Sequence, residues 1–280
     1  MAVSLTEAIS INTDIETYLN RVGEIFKAYR DQDSACVSYG LFASGSRWFI
    51  KHSSDPRGIE SLRRARHLHA SVHHPALPHL WNDFDTSGGL ALVYDWLPGE
   101  VLYQYSVAKG EMSRRTLSSP HARFRALPLG RILDALDTIF DVHLSLSELG
   151  FIAVDFYDGC ILYDFDTHQT YLVDLDEYRP GPFILEADRL PGSRRFMAPE
   201  EWQRGALIDG ITNVYTLGRT ALVLLSSGSG RSENWRGTER MRVVADRAAS
   251  PERKARYSSV REFVKEWRLA VAGSPFGEEG

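Results

Sequence analysis

Four short pieces of this chain carry residues that could do chemistry, and they follow one another as Lys51 in FIKH, Asp155 in AVDFYDGCIL, Asp174 in LVDLD and Glu200 in RFMAPEEW. Lys51 closes a strand-like run, where its ammonium is either a point charge for an anion or an exposed strand lysine. Asp174 stands between YLV and a loop. A carboxylate there can hold a hard cation such as Mg²⁺, which takes oxygen ligands and keeps several waters, or it can cap a turn. Asp155 follows a long helical stretch and precedes a strand pair. It can accept a proton from a hydroxyl or serve as a turn residue.

The elements that must position these groups are legible from periodicity. Residues 34–52 read as two strands joined at SGS, with Val37, Tyr39 and Leu41 alternating in the first and Trp48, Phe49 and Ile50 leading to Lys51 in the second. Ile59, Leu62, Arg66 and His69 predict a helix over 57–73, ended by HHPALP. LALVYDW at 90–96 is a short buried-strand pattern closed by Pro98-Gly99. The polar, partly basic stretch 104–128 reads as a loop with one short helix. Ile132, Leu133, Leu136, Ile139, Phe140, His143 and Leu144 predict an amphipathic helix over 130–149. GCILYDF and TYLVDLD then read as paired strands, and from about residue 199 the pattern is mainly helical. Strands early and helices late predict an α+β chain.

Composition narrows the function classes. Of 280 residues 43% are hydrophobic and 25% charged, which is ordinary for a globular protein, and the net charge of -5 argues against bulk nucleic-acid binding. The N-terminal residues show no basic start followed by an apolar run, and TALVLL at 220–225 is far too short to span a membrane. Cys36 and Cys160 give no disulfide framework, so a reducing cytoplasm is expected, with neither nucleic acid nor membrane as a partner.

In order and spacing, the four pieces resemble the V-A-I-K, H-R-D-L-x-x-x-N, D-F-G and A-P-E of the eukaryotic-like serine/threonine protein kinases, in an atypical stand-alone form of bacterial type. The resemblance covers roughly residues 30 to 268. It implies a two-lobed fold, with a β-rich N-lobe at 12–96 and a mainly helical C-lobe at 97–272, and the sequence of the ends, 1–11 and 273–280, reads as flexible. It implies ATP with Mg²⁺ or Mn²⁺. Lys51 would then meet the phosphates and Val37 the nucleotide beside it, Asp155 would act as catalytic base, and Asp174 would hold the metal. One metal is expected, or a second at Asp158, Asp176 or the Cys160 position. LALVYDWLPGEVL resembles the hinge, with Tyr94 as gatekeeper and the backbone of Asp95 and Leu97 on adenine. TNVYTLGRTALVLL resembles the central helix of the large lobe, with Asn213 in place of its leading Asp. Glu200 would form a buried, structural ion pair with Arg256.

The chain departs from that family in its supporting residues. Counting back from Val37, the three phosphate-loop glycines become Arg30, Gln32 and Ala35, leaving Arg30 and Ser34 to meet phosphate. The helix glutamate expected to pair with Lys51 is Ala65, and Glu60 lies roughly 140° around the helix. H-R-D becomes Ala153-Val154-Asp155, which lacks the arginine that would receive an activating phosphate. The Asn that follows in the family is Cys160, a poor ligand for magnesium. D-F-G becomes Asp174-Leu175-Asp176, a pattern also similar to aminoglycoside phosphotransferase-type kinases.

These residues lead to an expectation of ATP-dependent transfer to a serine or threonine of a protein substrate. The alternatives are a pseudokinase that binds a regulatory protein partner, and a small-molecule kinase. His67, His69, His73 and His74 read as a solvated helix face. Arg114, Arg115, Arg123, Arg125 and Arg131 read as an exposed basic loop or a dock for an acidic partner.

Overall fold

The computed structural model describes residues 4–30, 34–103, 116–226 and 234–273. Gln32, Arg114 and Arg115 lie outside these, as do residues 1–3 and 274–280 of the two ends. The chain is mixed α+β and forms two compact units, Met1–Pro98 and a second that begins at Gly99.

The first unit is an antiparallel sheet with a helix on each face. Its strands are β1 (Glu24–Tyr29), β2 (Val37–Ala43), β3 (Ser46–Ser53), β4 (Leu80–Thr86) and β5 (Gly89–Asp95), in the order β1-β2-β3-β5-β4. Ser44 and Gly45, with φ of 52° and 79°, form the two-residue turn between β2 and β3. Two positive φ values there match the right-handed twist of a hairpin.

Pleating sends alternate side chains to opposite faces. On one face Tyr39, Leu41, Ile50, Ala91 and Val93 join Ile15, Tyr18 and Leu19 of α1 (Ile15–Val22). On the other, Phe49, Leu90, Leu92 and Tyr94 meet Leu62 and Ala65 of α2 (Pro56–Ser71). Asp55 caps α2 by accepting from the Arg57 amide, and Pro56 occupies its first turn.

The N-terminal residues are not a free end where they are described. Leu5 and Ala8 are buried in the α1 face of the core, and Asn82 Nδ2 donates to both of their carbonyls at 3.1 and 2.9 Å. Ile9 and Ile11 bond the backbone of Asp85 at 3.1 and 2.9 Å. The apolar spacing of Leu5, Ala8 and Ile11 was too short to register as an element, yet it covers that face of the sheet.

In the second unit, β6 (Glu100–Val101), β8 (Ile161–Tyr163) and β9 (Thr170–Leu172) form a small sheet, with β7 (Phe151–Ile152) separate from it. The helices are α3 (Pro120–Ala126), α4 (Leu129–Glu148), α5 (Gly210–Leu225), α6 (Glu239–Ala248) and α7 (Val260–Ala272). Helix α4 buries the predicted stripe at Ile132, Leu133, Leu136, Ile139, Phe140 and His143. Its Phe140 ring lies 5.0 Å from Phe263 and 5.5 Å from Trp267 of α7.

The described part of the basic stretch contains the one short helix expected within 104–128. Arg123 and Arg125 lie on α3 and Arg131 on α4. Arg123 pairs with Glu100 at 2.6 Å and covers the Phe165 ring at 4.0 Å. Among the described residues no helix is long and apolar enough to cross a membrane.

Candidate functional site

In the first unit, strand register decides which residues share a face with Lys51. Lys51 is buried at 5% exposure and sits across from Ser38 on β2 and Leu92 on β5. Phe49, two residues earlier and on the same face, sits across from Gly40 and Tyr94. Val37 pairs with His52 and packs on the α1 face, so it does not line the Lys51 face as its sequence position suggested. A one-residue step along a strand reverses the face.

The Lys51 face is paved with aromatic rings. Phe26 meets Trp96 edge-on at 4.8 Å, Phe49 lies 6.3 Å from Trp96 and 6.4 Å from Tyr94, and His69 meets Tyr94 at 5.1 Å. Gly40 is the floor beneath them, since a methyl group there would come within 2.6 Å of Phe26 and 2.7 Å of Trp96. His69 is therefore half-buried rather than solvated. Burial, with His79 and His73 nearby, pulls its pKa down to about 4, so it is neutral at physiological pH.

The supporting positions around Lys51 differ from their expected roles. Ala65 is buried on α2, while Glu60 points to Arg64 at 3.8 Å and Arg63 at 4.0 Å with its side chain 60% exposed. Arg30 pairs with Glu16 at 2.9 Å on the exposed surface. Glu16 also accepts from the Tyr39 hydroxyl at 2.9 Å. Ser34 is exposed, and Ala35 adopts φ of 55°. Asp95 accepts from the Trp81 indole at 2.7 Å, and Leu97 is half-buried.

The second unit brings Asp155 and Asp174 together through Cys160. The thiol Sγ lies 3.4 Å from the Asp155 carbonyl oxygen and 3.9 Å from that of Asp174. Both aspartates have φ of 61°, a left-handed conformation that Asp tolerates better than most residues and that recurs where backbone is constrained for function. Asp174 is exposed and Asp155 half-buried.

Three buried anchors hold these loops. Asn213 of α5 accepts from the Ala153 amide at 2.8 Å and donates to the Phe151 carbonyl at 3.0 Å. A carboxylate could make only the first of these bonds. His143 of α4 holds the loop after Asp174. Its Nδ1 faces the Ile139 carbonyl at 2.7 Å and its Nε2 faces the Tyr178 hydroxyl at 2.7 Å. Burial lowers its pKa to about 4, so the ring is neutral. A carbonyl only accepts, so Nδ1 carries the proton and Nε2 accepts from Tyr178. The third anchor is Asp158, fully buried and paired with Arg195 at 2.9 Å, with His121 at 3.6 Å.

These placements bear on which residues fit a metal. Asp158 is committed to Arg195, because a buried carboxylate against a guanidinium is not a cation ligand. The Cys160 thiol is buried, and burial together with Asp174 and Asp155 pushes its pKa well above the ordinary value, so it stays protonated. Asp176 is 7% exposed. Among the described residues no group of three or more His, Cys, Asp or Glu side chains could hold a metal. Of the expected metal ligands, Asp174 is the exposed carboxylate, and a hard cation held by a single carboxylate would keep most of its waters.

Glu200 lies in a buried network. Arg256 grips it with two bonds of 2.7 and 3.0 Å, Arg253 adds one at 2.7 Å, and the Thr212 hydroxyl donates at 3.0 Å. Arg253 also forks onto Asp209 at 2.9 and 2.8 Å. The involvement of Arg253 and Asp209 had no separate signal in the sequence.

Beside this network lies Glu201, 2% exposed, which accepts from the Ala198 amide at 2.5 Å. Burial, reinforced by the charges of Glu200 and Asp155, raises its pKa to about 8. The folded protein therefore keeps this proton at pH values where the unfolded chain has released it. Stability contributed by the protonated group is complete below the ordinary 4.5 and declines as pH rises through about 8. Glu201→Gln keeps the acceptor and removes the ionisation. Thermal melts of the Gln variant should lose less stability between pH 5 and 8.5 than wild type, by on the order of 3 kcal/mol. Equal losses in the two proteins would show that Glu201 is already ionised in the fold.

No protein-family model matches the chain, and no curated protein shows significant sequence similarity to it.

Proposed function

We propose that this chain is a two-lobed, protein-kinase-like phosphotransferase that moves the γ-phosphate of ATP to a serine or threonine of a protein. The observation that carries the reading is the pairing of Asp155 and Asp174 in left-handed backbone around the Cys160 thiol. Phosphoryl transfer needs little covalent help from a protein, and depends on a proton acceptor, a metal-holding carboxylate and a cation for the phosphates. Asp155, Asp174 and Lys51 are the groups of those types in the resemblance. Asp155 would orient the acceptor hydroxyl and take its proton, and Asp174 would hold Mg²⁺ or Mn²⁺. The metal, when bound, neutralises charge on the transferring phosphate. Tyr94, Asp95 and Leu97 would meet adenine.

A second reading, a pseudokinase that binds a regulatory partner, is favoured by one observation. The aromatic layer of Phe26, Phe49, Tyr94 and Trp96 fills the sheet face that bears Lys51, where a flat base would otherwise lie.

Nucleotide-dependent melting separates the readings. With about 1 mM ATP and Mg²⁺ the melting temperature should rise by roughly 3 °C, as for a ligand at ten times its Kd. Phosphate should appear on protein acceptors. Phe49→Ala clears one ring from the layer, so its nucleotide shift should exceed that of wild type. A shift without phosphate transfer selects the pseudokinase. Transfer only to added aminoglycosides or metabolites moves the acceptor class to small molecules. No shift in either protein removes every nucleotide reading.

A further inference from the structure

The loop that passes Asp155 carries three arginines with unlike surroundings. Arg195 is spent on Asp158 inside the fold. Arg189 and Arg194 are exposed, and each places its guanidinium carbon 5.3 Å from the centre of the same Trp202 ring. At most twice that distance separates the two charges. Among the described residues neither forms an ion pair, and the adjacent Asp188 is turned to Arg204 at 3.8 Å.

Gly192, between the two arginines, is where the loop touches the site. A methyl group on it would lie 3.7 Å from Asp155 Oδ1. An indole ring orders a guanidinium stacked on it while leaving the planar N–H edges free for a carboxylate. The two guanidiniums thus sit on one indole, within three residues of the glycine that approaches Asp155.

We propose that Arg189 and Arg194 select an acidic peptide substrate, whose Asp or Glu side chains engage the two guanidiniums while its hydroxyl lies at Asp155. Basic peptides are turned away by like charge. The choice of acceptor rests on the phosphotransferase reading, whereas the binding of acidic peptide does not.

The probes are short labelled peptides with one serine flanked by Asp and Glu, by Ala and Gly, or by Lys and Arg. Each has a counterpart with alanine in place of serine. In fluorescence anisotropy the acidic alanine peptide should bind the full chain about tenfold more tightly than the neutral one, the scale two exposed ion pairs can supply. Raising ionic strength from about 0.05 to 0.5 M should erode that preference. The double variant Arg189→Ala/Arg194→Ala should abolish it. Arg189→Lys/Arg194→Lys should retain part of it and guards against a folding defect in the alanine protein. Equal binding of acidic and neutral peptides, or a preference that survives the alanine variant, overturns the proposal. If acidic peptides bind but their serine forms take no phosphate, the surface stands and the phosphotransferase reading falls. If serine peptides are phosphorylated regardless of flanking charge, the surface falls and that reading stands.

Discussion

Replacing Asp155 by Asn should lower phosphate transfer by about 10²–10⁴-fold, the usual contribution of a positioned general base. The loss should be chemical rather than structural. Asp155 occupies left-handed backbone with φ of 61°, and Asn is as tolerant of that region as Asp. The Asn side chain also keeps the volume and one acceptor oxygen. The melting temperature should therefore move by no more than about a degree or two. Single-turnover measurement of radiolabelled phosphate incorporation isolates the step, since it is insensitive to product release. Asp174→Asn is the companion, expected to weaken Mg²⁺-dependent ATP binding as well as transfer, because its exposed carboxylate is the one proposed to hold the cation. The two variants thus differ in their effect on the ATP shift: it survives in the first and shrinks in the second. Undiminished turnover in Asp155→Asn would falsify its role as base.

The helical elements and the strand pair around Lys51 were readable because their periodicity is local. The stripe on α4 from Ile132 to His143 is buried as its spacing predicts. The Glu200 and Arg256 partnership was also visible, though only through the resemblance of A-P-E to a known pattern. What stayed hidden depended on contacts between distant segments. Val37 and Lys51 lie in adjacent strands, but the turn at Ser44 and Gly45 sets the register, and that register puts them on opposite faces. Counting from a motif cannot supply this. Asp158 was a metal candidate because the residue expected to hold a second metal is Cys160 here. Its commitment to Arg195, 37 residues later, is a fact of folding. Likewise, His143 counted as one more position on a greasy stripe, whereas its ring links the Ile139 carbonyl to the Tyr178 hydroxyl. Residue type gave the candidates, and burial with partners decided what each is available to do.

Arg256→Ala should be the most destabilising single change described for this chain, at about 3–5 kcal/mol, because it leaves the Glu200 carboxylate buried without its main counter-charge. The side chain of Arg256 is wholly buried and that of Glu200 is 7% exposed, so water cannot replace the lost pair. Arg253 still reaches Glu200 at 2.7 Å, but it is 28% exposed and shared with Asp209. Its loss alone should cost less. For a chain of this size the Arg256→Ala penalty corresponds to a fall in melting temperature of roughly 10 °C. The double variant Glu200→Leu/Arg256→Met removes both charges together and should be more stable than Arg256→Ala, since no lone ion remains.

The same pair fixes a pH dependence. Burial works to raise the Glu200 pKa, but hydrogen bonds and charge from Arg256 outweigh it and hold the carboxyl below the ordinary 4.5. A depressed carboxylate contributes stability above that value and loses it as pH falls through the folded pKa. Wild type should therefore shed stability on acidification below about pH 4.5 through Glu200. The uncharged double variant lacks that contribution, and the gap between the two proteins should narrow in acid. Chemical denaturation at pH 7 and at pH 3.5 or so measures the gap directly. A gap that stays constant across that range would place the acid-labile group elsewhere than in the grip of Arg256 on Glu200.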